Sequence, residues 1–122
     1  MPREKGLSMT IEDVIRACGG AAELVPDPGA EVRAVYTSDL LSDVMAHAPA
    51  GSVLVTIQNH ANTVAVALLA GIRLILICHQ REIPDEMRRA AMAEGIALAR
   101  TPLDQFGASC ALDHAGLGGG VR

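Results

Sequence analysis

The sequence is short of aromatics and of lysine: 122 residues hold no tryptophan, one tyrosine, one phenylalanine and a single lysine, Lys5. Each shortage excludes something. Without aromatic platforms the chain cannot stack the bases of a single-stranded nucleic acid. With a net charge of -4 it lacks the basic stripe that tracks a phosphate backbone. A phosphate-binding loop of the Walker type needs a lysine at the start of a helix, and Lys5 lies in a polar leader. The three cysteines, Cys18, Cys78 and Cys110, are far apart and form no C-x-x-C pair. This argues against a disulfide framework and for a reducing, cytoplasmic compartment. Long apolar runs are missing too: Val64–Ile72 and Leu74–Cys78 are separated by Arg73 and fall short of the roughly 20 residues that span a bilayer. Neither nucleic acid nor a membrane is expected as a partner.

What is present is aliphatic. Half of the residues are hydrophobic, so the core is built from Val, Ile, Leu, Ala and Met, which suits a parallel sheet covered by helices. The length gives one domain, expected over residues 10–117, with a disordered polar leader at 1–9 and a flexible tail at 118–122 inside the glycine-rich run "GLGGGVR".

Along the chain, Thr10-Ile-Glu-Asp13 has the form of a capping box and opens a short helix that Gly19-Gly20 ends. Strands are expected at 22–25 and 32–37, either side of a Pro26–Gly29 turn. Ser38-Asp39 then reads as the cap of a helix burying Leu40, Leu41, Val44, Met45 and Ala48. A strand at 52–57 runs into Gln58-Asn59-His60, and Asn62 reads as the cap of the helix 63–70. The segment "RLILI" at 73–77 is a buried strand, Pro84 opens a helix at 85–94, and 96–99 is a short strand. Thr101-Pro-Leu-Asp104 reads as a second capping box, opening a last helix with Phe106, Cys110 and Asp113 along one side; Cys18 and Cys110 are expected in the core.

Alternating strands and helices predict an α/β fold: three layers around a mainly parallel sheet of about five strands joined by right-handed crossovers. In such folds ligands bind beyond the carboxyl ends of the strands. The polar residues collect on that rim, and the expected ligand-binding set is Ser38, Asp39, Gln58, His60, Asn62, Cys78, His79 and Thr101. A non-catalytic pocket for a small anionic or nucleotide-like molecule is the favoured reading, because donors there flank a helix amino terminus. Its bland counterpart is a rim tied together for structure alone, with His60 bonded to Asp39. A metal held by His60, Cys78, His79 and Asp39 is set aside, since neighbouring residues on a strand point opposite ways. A nucleophile, Cys78 or Ser38 beside His60 and Asp39, has no supporting local motif. No cofactor is expected.

The helix "TVAVALLA" at Thr63–Ala70 carries no charge on any face, so its outer surface needs a cover. A second subunit is the expected cover, making a homodimer; the alternative is the last helix of the same chain.

The run "YTSDLLSDVMAHAPAGSVLVTIQNHANTVAVALLAGIRLILI" with "REIPDE", "EGIAL" and "TPLDQF" resembles the stand-alone DRTGG domain family. The resemblance covers about Thr10 to Leu117. It implies a fold similar to the amino-terminal domain of HPr kinase/phosphatase, the domain without the catalytic machinery, and a regulatory or ligand-sensing role linked to hydrogenase or energy metabolism. A protein partner fits such a role. A small hydrolase or transferase using the same rim, and a pure adaptor, are the alternatives. By the same resemblance the family's Asp-Arg pair falls at Asn59-His60 and its Thr-Gly-Gly turn at Cys78-His79-Gln80, where side chains replace both glycines.

Overall fold

The computed structural model describes residues 8–119. In chain order its elements are β1 (Met9–Thr10), α1 (Ile11–Ala17), β2 (Ala21–Leu24), β3 (Glu31–Val32), β4 (Ala34–Thr37), α2 (Leu41–His47), β5 (Ser52–Thr56), α3 (Ala61–Ala70), β6 (Leu74–Ile77), α4 (Asp85–Glu94), β7 (Ala97–Arg100) and α5 (Gln105–His114). The main sheet runs β2-β7-β6-β5-β4. Its last four strands are parallel, and β2 joins the edge antiparallel to β7. The expected five-stranded α/β fold is therefore observed.

Alternation along the central strands splits the core. Val53, Val55, Leu74, Leu76, Ala97 and Ala99 face α1 and α5, while Leu54, Ile75, Ile77 and Leu98 face the layer of α2, α3 and α4. Every residue of β5 and β6 is buried, as a sheet covered on both faces requires. Gly71 ends α3 in the left-handed region at φ 75°, where a Cβ would also stand 3.0 Å from that of Ala50. Both facts favour glycine.

Helix starts differ from the sequence reading at three places. Ser38 and Asp39 do not cap α2: the helix begins at Leu41, and Ser38 Oγ instead accepts from Leu40 N in a tight local turn. Of the face expected to be buried, only Val44 is fully so; Leu40 and Met45 are exposed, since a two-turn helix beside an edge strand has little to cover. Asn62 lies inside the first turn of α3, whose cap position is His60. Thr101 is buried and three residues ahead of the true cap, Asp104, whose Oδ1 accepts from Gly107 N at 2.7 Å. At α2 and α5 the polar residue upstream, Ser38 or Thr101, makes a turn of its own instead.

Cys18 is buried but Cys110 is exposed, which corrects its placement in the core. The strand expected over 32–37 is broken at Arg33, whose N–H donates to Gly51 O. At the two ends, Met9 pairs with Val32, and Gly118 O accepts from Val35 N beside a Val35–Gly119 bridge. These residues of the expected leader and tail are thus part of the fold; residues 1–7 and 120–122 lie outside the described residues. Finally, α5 packs with α1, β4 and β5, whereas α3 packs between α2 and α4. The last helix therefore cannot be the cover of α3.

Candidate functional site

Strands β4, β5 and β6 deliver their following loops to one rim, and Asp39 is the hub of its β4–β5 side. Its Oδ1 accepts from Thr56 Oγ1 (2.9 Å), Ile57 N (3.0 Å) and Gln105 Nε2 (2.9 Å), and its carbonyl accepts from Gln58 Nε2 at 2.8 Å. Partial burial disfavours the charged carboxylate, yet the bonds from Ile57, Thr56 and Gln105, with Arg81 nearby, outweigh it and hold the Asp39 pKa below its ordinary value. Thr63 Oγ1 donates to Gln58 O at 2.9 Å, and Thr37 and Ser109 hydroxyls meet at 2.6 Å. This side of the rim is closed upon itself. The His60–Asp39 bond of the alternative, purely structural reading is absent: Asp39 Oδ1 is bonded by Thr56, Ile57 and Gln105.

Three other predicted residues are also structural in their contacts. Thr101 Oγ1 donates to Cys18 O at 2.8 Å and accepts from Leu103 N, stitching α1 to the β7–α5 loop. Ser38 serves its own turn. Cys78 is fully buried, and that burial, with Cys18, Asp104 and Asp39 around it, pushes its thiol up to about 12. A thiol so placed stays protonated near neutral pH and is neither a ready nucleophile nor a metal thiolate. Among the described residues no group of three His, Cys, Asp or Glu side chains is arranged to hold a metal ion.

The side of the rim around β5 and β6 is different. His79 and Gln80 both lie in the left-handed region, at φ 59° and 51°, the conformation that a glycine pair adopts without strain. Their N–H groups donate to Leu103 O (2.9 Å) and Thr101 O (2.8 Å), so this turn offers no backbone cradle to a phosphate. Next to it, Arg81 Nη2 donates to Asn59 Oδ1 at 3.2 Å, and Asn59 Nδ2 donates to Glu82 O at 2.7 Å. That pair places an exposed guanidinium beside the residue that precedes His60.

The amino terminus of α3 opens here. His60 makes no side-chain cap, and the first turn contains no acidic residue. Helices α2 and α4 also start on this rim without side-chain caps, but each has carboxylates in its first turn, Asp43 in one and Asp85 and Glu86 in the other. His60 and Asn62 are exposed. Of the eight residues read from the sequence, then, Asp39 and Gln58 form the knot, Ser38, Cys78 and Thr101 have structural places, and His60, Asn62 and His79 face solvent. Asn59 was noted at the strand end but left out of the expected set, and sequence reasoning missed Arg81 and Gln105, whose charged or polar character carried no spacing signal.

Missed as well was a cavity of about 480 Å³ between β2, the end of β7 and the start of α4. Glu23, Glu82, Pro84, Asp85, Arg88 and Arg100 line it. Glu23 bridges Arg88 Nη2 and Arg100 Nε at 3.0 Å each. Burial opposes its ionisation, but the two guanidiniums hold its carboxyl below the ordinary value.

No family model matches the sequence, and no curated protein is significantly similar to it. A solved structure is: the CBS and DRTGG domains of the regulatory region of Clostridium perfringens pyrophosphatase, complexed with the activator diadenosine tetraphosphate. The TM-score is 0.69 at 16% identity, covering 84% of this chain and 45% of that one. The fold is thus an α/β domain like that of a DRTGG-containing regulatory region, in agreement with the resemblance read from the sequence. The region it resembles is the regulatory part of an enzyme, and this chain spans less than half of it.

Proposed function

We propose that the protein is a non-catalytic regulatory domain that senses a small anionic, nucleotide-like ligand at the open side of its strand-end rim. The observation that carries this reading is the start of α3, uncapped by any side chain and free of acids in its first turn, with Arg81 held beside it through Asn59. An uncapped helix start presents unpaired N–H groups and partial positive charge, and the exposed His60 and Asn62 add side-chain donors. An activator-binding regulatory region of the same fold supports the choice of a nucleotide-like ligand. The buried, protonated thiol of Cys78 and the self-bonded Ser38 support a role without catalysis. Of the other predicted residues, His79 borders the site, while Asp39, Gln58 and Thr101 hold its frame.

Calorimetric titration with diadenosine tetraphosphate, ATP and pyrophosphate tests this. Saturable binding of at least one, weakened ten-fold or more in Arg81→Ala and His60→Ala, is the expected result. Binding that neither variant changes contradicts the proposed location, and turnover of any of the three contradicts the non-catalytic role.

The same reading includes a homodimer. Leu68 and Leu69 of α3 are exposed by 47 and 72%, beside a cavity of about 350 Å³ lined by Val64, Ala65, Leu68, Leu69, Ala90 and Ala93. A patch of this kind favours a partner surface. Sedimentation is expected to find a dimer that Leu69→Glu converts to monomer; a wild-type monomer leaves the patch to a protein partner, the adaptor reading.

A further inference from the structure

The cavity beside β2 adjoins the α3 site through Glu82, whose carbonyl accepts from Asn59, but is lined by none of that site's side chains, and its charges are sorted by exposure. Arg88, Arg100 and Glu23 form its inner wall, with side chains 33, 26 and 17% exposed. Glu82 and Asp85, both exposed, stand at the mouth. The inner group is two cations around one anion, a net +1. Each guanidinium has five N–H donors, and each uses two: Arg88 on Glu23 O and Oε1, Arg100 on Glu23 Oε2 and Gln80 O. Three donors therefore remain on each.

The mouth group is the reverse. Among the described residues neither Glu82 nor Asp85 makes an ion pair within the protein, so two free carboxylates face whatever enters. A purely anionic ligand is attracted within but repelled at the entrance, and a pure cation meets the opposite. A molecule with an anionic group leading and an ammonium group trailing matches both.

We propose that this cavity is a second binding site, specific for a small zwitterion whose carboxylate or phosphate contacts Arg88 and Arg100 while its amine lies between Glu82 and Asp85. Its volume is within the 300–1,000 Å³ range of small-molecule sites. Glu23 fixes the two guanidiniums in advance, which lowers the ordering cost of binding. The site does not rest on the ligand reading for α3.

The test uses ω-amino carboxylates from glycine to 6-aminohexanoate, titrated into 15N-labelled protein, each beside its N-acetyl derivative and the alkylamine of equal length. The expected result is that at least one zwitterion shifts the amides of Ile83, Asp85, Arg88 and Arg100 saturably and binds at least ten-fold more tightly than both of its controls. In the double variant Glu82→Gln, Asp85→Asn, whose changes are at exposed positions, that zwitterion falls to the level of its N-acetyl control. The proposal is overturned if no member of the series saturates these shifts, if either control binds as well as the zwitterion, or if the double variant keeps the preference.

Discussion

The two sides of the strand-end rim use similar residue types for opposite ends. Between β4 and β5, a single carboxylate oxygen gathers a hydroxyl, a backbone N–H and a glutamine amide, and each of these donors is bonded from within. Between β5 and β6, polar side chains stand open at an uncapped helix start, beside a turn in which two residues adopt a conformation that glycine prefers. Polar density alone does not separate a frame from a site; where each donor finds its acceptor does.

This contrast is sharpest in stability. Asp39→Ala strips acceptors from Thr56, Ile57 and Gln105 together, and bonds to a charged group are worth about 1.5–3 kcal/mol each without being additive. A loss of about 3 kcal/mol in urea unfolding is expected. A loss below about 1 kcal/mol would show that the knot is replaceable by water.

Next comes Thr101→Val, which leaves the buried Cys18 carbonyl without its donor and is expected to cost about 1–2 kcal/mol. The same denaturation measurement checks it.

Acid tests the knot from another direction. The folded-state pKa values of Asp39 and Glu23 are lowered, so the stability they contribute is fully present above the unfolded carboxylate value of about 4 and is lost as pH falls through the folded values. Urea midpoints from pH 6 downward are expected to fall below pH 4, and Asp39→Asn to flatten that fall. An unchanged slope in the variant would assign it to other carboxylates.

On the open side the effects are small or reversed. Gln80→Gly relieves a left-handed residue, worth about 1–2 kcal/mol, against the greater flexibility of glycine, about 0.5–1 kcal/mol; a net gain of about 0.5–1 kcal/mol is expected. His60→Ala is expected to change stability by less than about 0.5 kcal/mol, as an exposed side chain without a bond does. A large loss there would make His60 part of the frame.

The mainly parallel sheet, its layers and the collection of polar loops at one rim were legible because aliphatic runs and crossover rules are long-range regularities; the order of the strands was not. Helix caps were not. Thr101 and Asp104 are both good caps by residue type, and only the packing of Thr101 against the Cys18 carbonyl decides between them. Likewise Asn62 has the right chemistry two residues past the cap position, His60. The Cys78-His79-Gln80 departure from a glycine turn was visible, but the turn kept its left-handed backbone while its N–H groups went to Leu103 and Thr101. Nothing in the spacing of Glu23, Arg88 and Arg100 announces that they meet, since they come from an antiparallel edge strand, a helix and a parallel strand.

The most direct measurement is an amide shift map of 15N-labelled protein titrated with ATP and with diadenosine tetraphosphate. Saturable shifts at Ala61, Asn62, Thr63 and Arg81 are expected, with the Asp39 knot little moved. Saturable shifts confined elsewhere, or none with either nucleotide, would contradict a nucleotide-sensing site at the start of α3.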